Sequence, residues 1–477
     1  MATKLRFSVI VTAMALFLMV PAASAGDASA VSAGDTSWVL LCAALVMLMV
    51  PGLALFYGGM VRHKNVLATL MQCMVLLALV SLQWALLGYS LAFGPDVGGV
   101  IGNLSHAFLN GVSASEPDPA YAATIPALAF VLFQAMFAAI TPALIIGAFA
   151  ERMSFKALIV FGLLWSTLVY DAVAHWVWGT GGWLRSMGAL DFAGGTVVHI
   201  TAGVAALACV LYMGKRKGFG QVEFRPNNIP LTILGAGLLW FGWFGFNAGS
   251  ALAAGPLAVS AFAATHLAAA AAALAWASVE WSHKGKPTVV GAAAGIVAGL
   301  VAITPASGFV TPMAAILIGL AAGCVCYLAV TVMKSVLRLD DSLDAFGVHG
   351  IGGMLGALST GLFATVAVNA AGTTGLLSDA AGGFAWNAAG WHQVLVQLVA
   401  IGAVIAYTFL ATWLVLWVTD QLVGLRVPEA HEDAGLDFAE HGEVAYHYPA
   451  TPNPQHSHVG DASLVLGTLA TGRARER

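Results

Sequence analysis

Asp191-Phe-Ala-Gly-Gly-Thr-Val-Val-His199-Ile-Thr-Ala-Gly203 and Asp344-Ala-Phe-Gly-Val-His349-Gly-Ile-Gly-Gly353 are variants of one phrase, with their histidines 150 residues apart. Each opens on an aspartate, carries a Val-His pair and runs on into small residues. Each also heads a long apolar run, and composition says what those runs face. Of 477 residues, 9% are charged and 60% apolar, and the mean hydropathy is +0.87. A soluble domain carries about 25% charged residues, so this chain cannot cover a water-facing surface. A soluble enzyme, a disordered chain and a nucleic-acid binder, which would cluster Lys and Arg, are excluded. The net charge of −4 decides little, because position outweighs sum in a bilayer. The pattern is that of a polytopic membrane protein.

Working outward from the two histidines gives eleven runs long enough to cross ~30 Å of hydrocarbon as helices. They begin near Ser37, Val66, Thr124, Lys156, Gly194, Asn228, Pro256, Thr288, Thr311, Ala345 and Trp391, and the eighth is the shortest. Ahead of them, residues 1–25 read as a secretory signal: Lys4 and Arg6, an apolar stretch from Ile10 to Val20, then Ala23-Ser24-Ala25. Cleavage there places the mature N-terminus outside the cytoplasm; an uncleaved first helix is the other reading. The loops after helices 1, 3, 5, 7 and 9 then hold twelve basic residues, including Arg62, Lys64, Arg152, Arg216, Lys217 and Lys334, against Arg185 alone on the other side. By the positive-inside rule those loops are cytoplasmic. The chain divides into a leader 1–25, a membrane domain 26–425 and a cytoplasmic tail 426–477. Outer loops lean acidic, with Asp96, Glu116, Asp118, Asp191 and Asp379.

Five helices separate the two phrases, so helices 1–5 and 6–10 form an inverted repeat, whose functional sites lie near the midplane. Eight residues from Asp191 to His199 carry the chain ~12 Å inward, and His199 and His349 are expected to face one another there. A lone histidine in an apolar helix is ordinarily a packed core residue, which is the reading for His175 and His266. A symmetric pair instead marks a transport path, and the expected state is a neutral pair sharing one ring-to-ring hydrogen bond. A bis-His haem would want basic partners for its propionates, and a metal path would want acidic or thiolate ligands; neither accompanies the pair. The potassium-filter signature is missing as well. No cofactor or metal is expected, and the five cysteines (Cys42, Cys73, Cys209, Cys324, Cys326) read as small core residues.

Longer motifs sharpen the reading. Asp191 to Ile200, Phe56-Tyr57-Gly58-Gly59-Met-Val-Arg62-His-Lys64-Asn65-Val66, Trp240-Phe-Gly-Trp243-Phe-Gly-Phe246-Asn247-Ala-Gly-Ser250, Phe346-Gly347-Val348-His349-Gly350 and Gly424-Leu-Arg426-Val-Pro428 resemble the ammonium transporters (Amt/Mep/Rh), of bacterial Amt type. The resemblance runs from about Asp35 to Tyr446. It implies a non-enzymatic transporter of the cell (inner) membrane, a homotrimer in which each subunit has its own narrow pore. It further implies an outer cation site of Phe137, Trp178 and Ser250, with Phe137 and Phe246 as a gate. The His199–His349 pair lies below, Trp243 lines the pore, and Asp191 is a buried acid supporting the outer site. Phe133 is weighed beside them. A PII-type signalling protein is the implied partner of the tail face, and an ammonium sensor with little conduction is the alternative function. One extra residue falls between Trp178 and Asp191, around Gly181 to Arg185.

Overall fold

Hydrophobic length and helix caps together set the elements. In the computed structural model residues 31–446 are described, so the expected leader and the tail beyond Tyr446 lie outside the described residues. Ten helices there are long and apolar enough to cross a membrane. They are α1 (Ala33–Met60), α2 (Val66–Phe93), α3 (Ala127–Phe149), α4 (Phe155–Met187), α5 (Gly195–Met213) and α6 (Ile229–Gly249), then α7 (Pro256–Lys284), α9 (Pro312–Val336), α10 (Phe346–Phe363) and α11 (Ala388–Val423). The expected eighth run forms α8 (Val289–Ile303), of 15 residues. At 1.5 Å per residue it covers ~22 Å, short of a full crossing. Eleven expected crossings thus become ten full-length helices and one short one. Ser32, Thr288 and Thr311 cap α1, α8 and α9 by accepting the amides of Asp35, Gly291 and Ala314, which fixes where those helices start.

The inverted repeat is visible in the packing. α1 and α6, counterparts in the two halves, run against each other at glycines: a Cβ on Gly235 would lie 2.3 Å from the Phe56 nitrogen. α5 and α10 both open in a wide π-helical turn, Gly195–Ile200 and Phe346–Gly350, and each turn holds its Val-His pair. Such turns carry one extra residue and recur at functional sites. The small residues that follow have a use here. A Cβ on Gly203 would fall 2.1 Å from the Gly350 nitrogen, so the helix after the first turn meets the second turn backbone to backbone.

Two hairpins lie on one face: β1 (Asp96–Val97) with β2 (Ile101–Gly102), and β3 (Pro117–Asp118) with β4 (Ala122–Pro126). The opposite face carries the basic loops and two short tail helices, α12 (Glu429–Ala434) and α13 (Leu436–His441).

Candidate functional site

A column of rings descends through the helices from the hairpin face. Trp178, half-buried at the end of the regular part of α4, stands edge-on to Phe137 of α3 at 6.1 Å between centroids. Phe137 lies over Phe246 of α6 at 4.2 Å, with planes inclined by 31°. Phe246 is 6.0 Å from the His199 ring, and His199 is 5.3 Å from the His349 ring, inclined by 18°. Trp243 flanks His199 at 5.4 Å and is pinned by its indole N–H to the Thr304 hydroxyl at 2.8 Å. Phe133 packs on Phe137 from the side, at 4.9 Å. Ser250 ends α6 and joins the column through Phe246, to whose carbonyl its hydroxyl donates at 2.9 Å. A narrow cavity below Phe246 is lined by both histidines and by apolar groups such as Leu53, Ile140, Leu144 and Val297.

The histidines depart from expectation in one respect. They face each other, but no hydrogen bond joins the rings among the described residues. Both ring nitrogens of His199 and Nδ1 of His349 are buried without any partner. The two rings lie within 18° of parallel with centroids 5.3 Å apart. Buried polar atoms are nearly always paired, so three orphaned nitrogens at one point are a feature of the site.

Asp191 explains how the first turn is held. Its Oδ1 accepts the amides of Gly194 and Gly195, and its Oδ2 those of Thr196 and Val197, at 2.7–3.1 Å. Gly194 has φ +113, a conformation that favours glycine. The Trp178 indole donates to the Asp191 carbonyl at 2.9 Å, and Arg185 of the extra-residue loop donates to the Trp178 carbonyl. One aspartate thereby ties the top of the column to the turn that bears His199.

The counterpart acid corrects the sequence alignment. Asp344 does not cap the second turn: it has φ +64 and pairs with Lys334 at 2.7 Å. Asp341 takes that role, accepting the amides of Ala345 and Phe346 at 3.0 and 2.8 Å. The signal was present in the spacing, since Asp341 precedes His349 by eight residues as Asp191 precedes His199. The reading of His266 as a core residue is also corrected. It is exposed on the outer side of α7, stacked 5.3 Å from Trp240. His175 is buried and hydrogen-bonded, as expected.

With this geometry in place, comparison decides the family. The model for the Ammonium Transporter Family matches residues 37–446. The chain belongs to the ammonium transporter family. It is 50% identical over 413 residues to the ammonium transporter of Bacillus subtilis (strain 168), covering 87% of this chain and 98% of that one. It is 46% identical over 416 residues to ammonium transporter Amt1 of Archaeoglobus fulgidus, covering 87% and 100%. Among solved structures, Saccharomyces cerevisiae Mep2 aligns with TM-score 0.76 at 38% identity, over 83% of this chain and 88% of that one. A structure titled "Sensor Amt Protein" aligns with TM-score 0.76 at 29% identity, over 86% and 98%.

As a transporter-family chain it also carries a charged layer on the basic face. Arg62 and Arg216 both pair with the buried Glu151, at 2.8 and 3.0 Å, and Arg216 pairs with buried Asp340 at 2.7 Å. Burial opposes the Glu151 charge, yet the two arginines outweigh it and hold the carboxyl below its usual range. The tail rests on this layer. Arg426 pairs with Glu432 and Lys217 with Asp433, both at 2.6 Å, while Asp437 and Glu440 accept the amides of Ala68 and Phe155.

Proposed function

We propose that this chain moves ammonium nitrogen across the cell membrane, recruiting the cation at Trp178, Phe137 and Ser250 and passing ammonia by the gate Phe137–Phe246 to the His199–His349 pair. The observation that carries the reading is the set of three unpartnered histidine nitrogens below a column of stacked rings. Moving a bare monovalent ion into such a site costs tens of kcal/mol in the Born limit. Size does not separate ammonium from potassium, but ammonium alone escapes that cost by leaving a proton behind. Ring faces attract the cation by ~0.5–2 kcal/mol each, and the Ser250 hydroxyl oxygen accepts an N–H. Ammonia both donates and accepts, so it can satisfy lone pairs and N–H groups of neutral imidazoles in turn. Trp243 supports His199, and Asp191 supports Trp178 and the turn without touching the substrate.

The basic face is assigned to the cytoplasm and the hairpins to the outside, by the placement of Lys and Arg. A homotrimer is supported by exposed His266 on α7, since an imidazole part-way along a membrane helix asks for cover. The acidic tail helices on basic loops supply a surface of mixed charge for a PII-type protein. The match to a sensor of the same fold favours one second reading, ammonium sensing with little conduction. Methylammonium uptake by the reconstituted protein tests the proposal: uptake above empty liposomes supports conduction, and binding without uptake would establish the sensor reading instead.

A further inference from the structure

We infer that Asp35 is a positioning residue of the outer cation site: it clamps the loop that leaves α6 and so holds Ser250 in place beside the ring column. The inference rests on the proposed entry site of Trp178, Phe137 and Ser250. α6 ends at Gly249, and Ser250 opens the connection 250–255 that leads to α7. The Ser250 hydroxyl donates to the Phe246 carbonyl of its own helix. The direction of its oxygen is therefore set by where the helix end and the following loop lie. Asp35, in the first turn of α1, reaches across to that loop. Its Oδ1 accepts the Ala254 amide at 2.8 Å, from 219 residues away in the chain.

One stripe of α1 makes the grip. Asp35, Trp38 and Cys42 follow one another at helical spacing and share a face. They meet the end of α6 at successive points. A Cβ on Gly249 would stand 2.6 Å from Cys42 Cβ, the Trp38 indole donates to the Ala248 carbonyl at 3.4 Å, and Asp35 takes the Ala254 amide beyond. Ser250 is thus bracketed by contacts from one helix face. The same crossing reaches the column, because a Cβ on Gly249 would also stand 2.8 Å from Phe133 Cε2, and Phe133 packs on Phe137. Leu252 has φ +55, a left-handed conformation that a leucine adopts only where its surroundings impose it. Its amide donates to the Gly249 carbonyl at 2.8 Å on one side, and the Asp35 bond to Ala254 ties the other. Asp35 is fixed in turn. The Ser32 hydroxyl accepts its amide, and the Ser32 amide donates to the Thr124 carbonyl of β4 at 2.8 Å. The outer hairpin, the start of α1 and the loop after Ser250 are therefore joined through this one carboxylate.

Two measurements test this on the full chain. Hydrogen exchange in nanodiscs reads the clamp itself, apart from transport. Asp35→Ala should speed exchange across residues 251–255 by roughly tenfold or more, as loss of a charge-assisted bond predicts. Asp35→Asn keeps an oxygen that accepts the Ala254 amide, so its exchange should stay close to wild type. Unchanged exchange in the Ala variant overturns the proposal. Methylammonium uptake then reads the effect on the cation. Asp35→Ala should raise KM by roughly threefold or more with the maximal rate little changed, and Asp35→Asn should restore it. An Asn variant as impaired as the Ala variant would assign the effect to charge and overturn the clamp, as would an Ala variant of normal KM. Added to Ser250→Ala, the Asp35→Ala change should raise KM no further, because it acts through Ser250; additive losses overturn the assignment. If Ser250→Ala alone leaves KM at the wild-type value, the entry-site reading fails and takes this inference with it, while exchange still reports the clamp, so the two failures are told apart. Should the protein bind without conducting, the same comparison is read as calorimetric Kd.

Discussion

Asp191 gathers four amide N–H groups at the head of the first Val-His turn, and Asp341 gathers two at the head of the second. The first turn is also tied to Trp178 and lies beneath a buried aromatic column. The second adjoins the basic face, beside the Asp344–Lys334 pair. Burial, reinforced by the Asp344 charge, pushes the Asp341 carboxyl up to about 7. The repeat therefore fixes the backbone device and leaves its electrical setting free. One copy is tied to the aromatic column, and the other adjoins a charged face.

The largest expected effect breaks the comparison at its anchors. Asp191→Ala leaves four amides unpaired, each charge-assisted bond being worth about 1.5–3 kcal/mol. Asp341→Ala loses two, so thermal unfolding in detergent should show the first variant far less stable than the second. Equal losses would mean that both turns are held mainly by their glycine contacts. Next comes the chemistry the turns share. His349→Ala should lower methylammonium uptake by about tenfold or more while leaving the melting temperature close to wild type, because its Nδ1 holds no partner to lose. Normal uptake would remove the pair from the path.

A smaller effect distinguishes the entrance. Trp178→Leu keeps apolar bulk but loses the ring quadrupole, which should cut selectivity for ammonium over methylammonium by a few-fold, in line with ~0.5–2 kcal/mol. Competition assays that show no change would argue against an aromatic cation site. The smallest concerns Asp341 alone. A carboxyl raised in the folded state binds its proton more tightly there than when unfolded. Stability is therefore full at low pH and declines as pH rises towards about 7. Asp341→Asn should flatten that decline in a pH series of melting temperatures, and a slope unchanged from wild type would refute the titration.

Much of this was legible in the residues. The two Val-His phrases, their spacing and the alternation of basic loops are local features, and they pointed to an inverted repeat with facing histidines. The ring-to-ring bond was not legible, because ring orientation depends on how Trp243 and Phe246 stack on His199. Asp344 was matched in place of Asp341 because both precede the same turn, and only the cap geometry separates them. Phe137, Trp178 and Phe246 came from resemblance to a family, since 24 Phe and 14 Trp residues give periodicity no means of choosing among them.

What the sequence determined by itself is the solvent, the places of its apolar runs and the twofold echo between its halves. Length in hydrocarbon and the placement of charge act locally along the chain. Tertiary structure alone decided which rings form the column, which acid caps which turn, and that His175 meets Asp96, 79 residues earlier. Those partners are chosen by close packing between distant segments, where a glycine such as Gly203 admits a contact that any side chain would block.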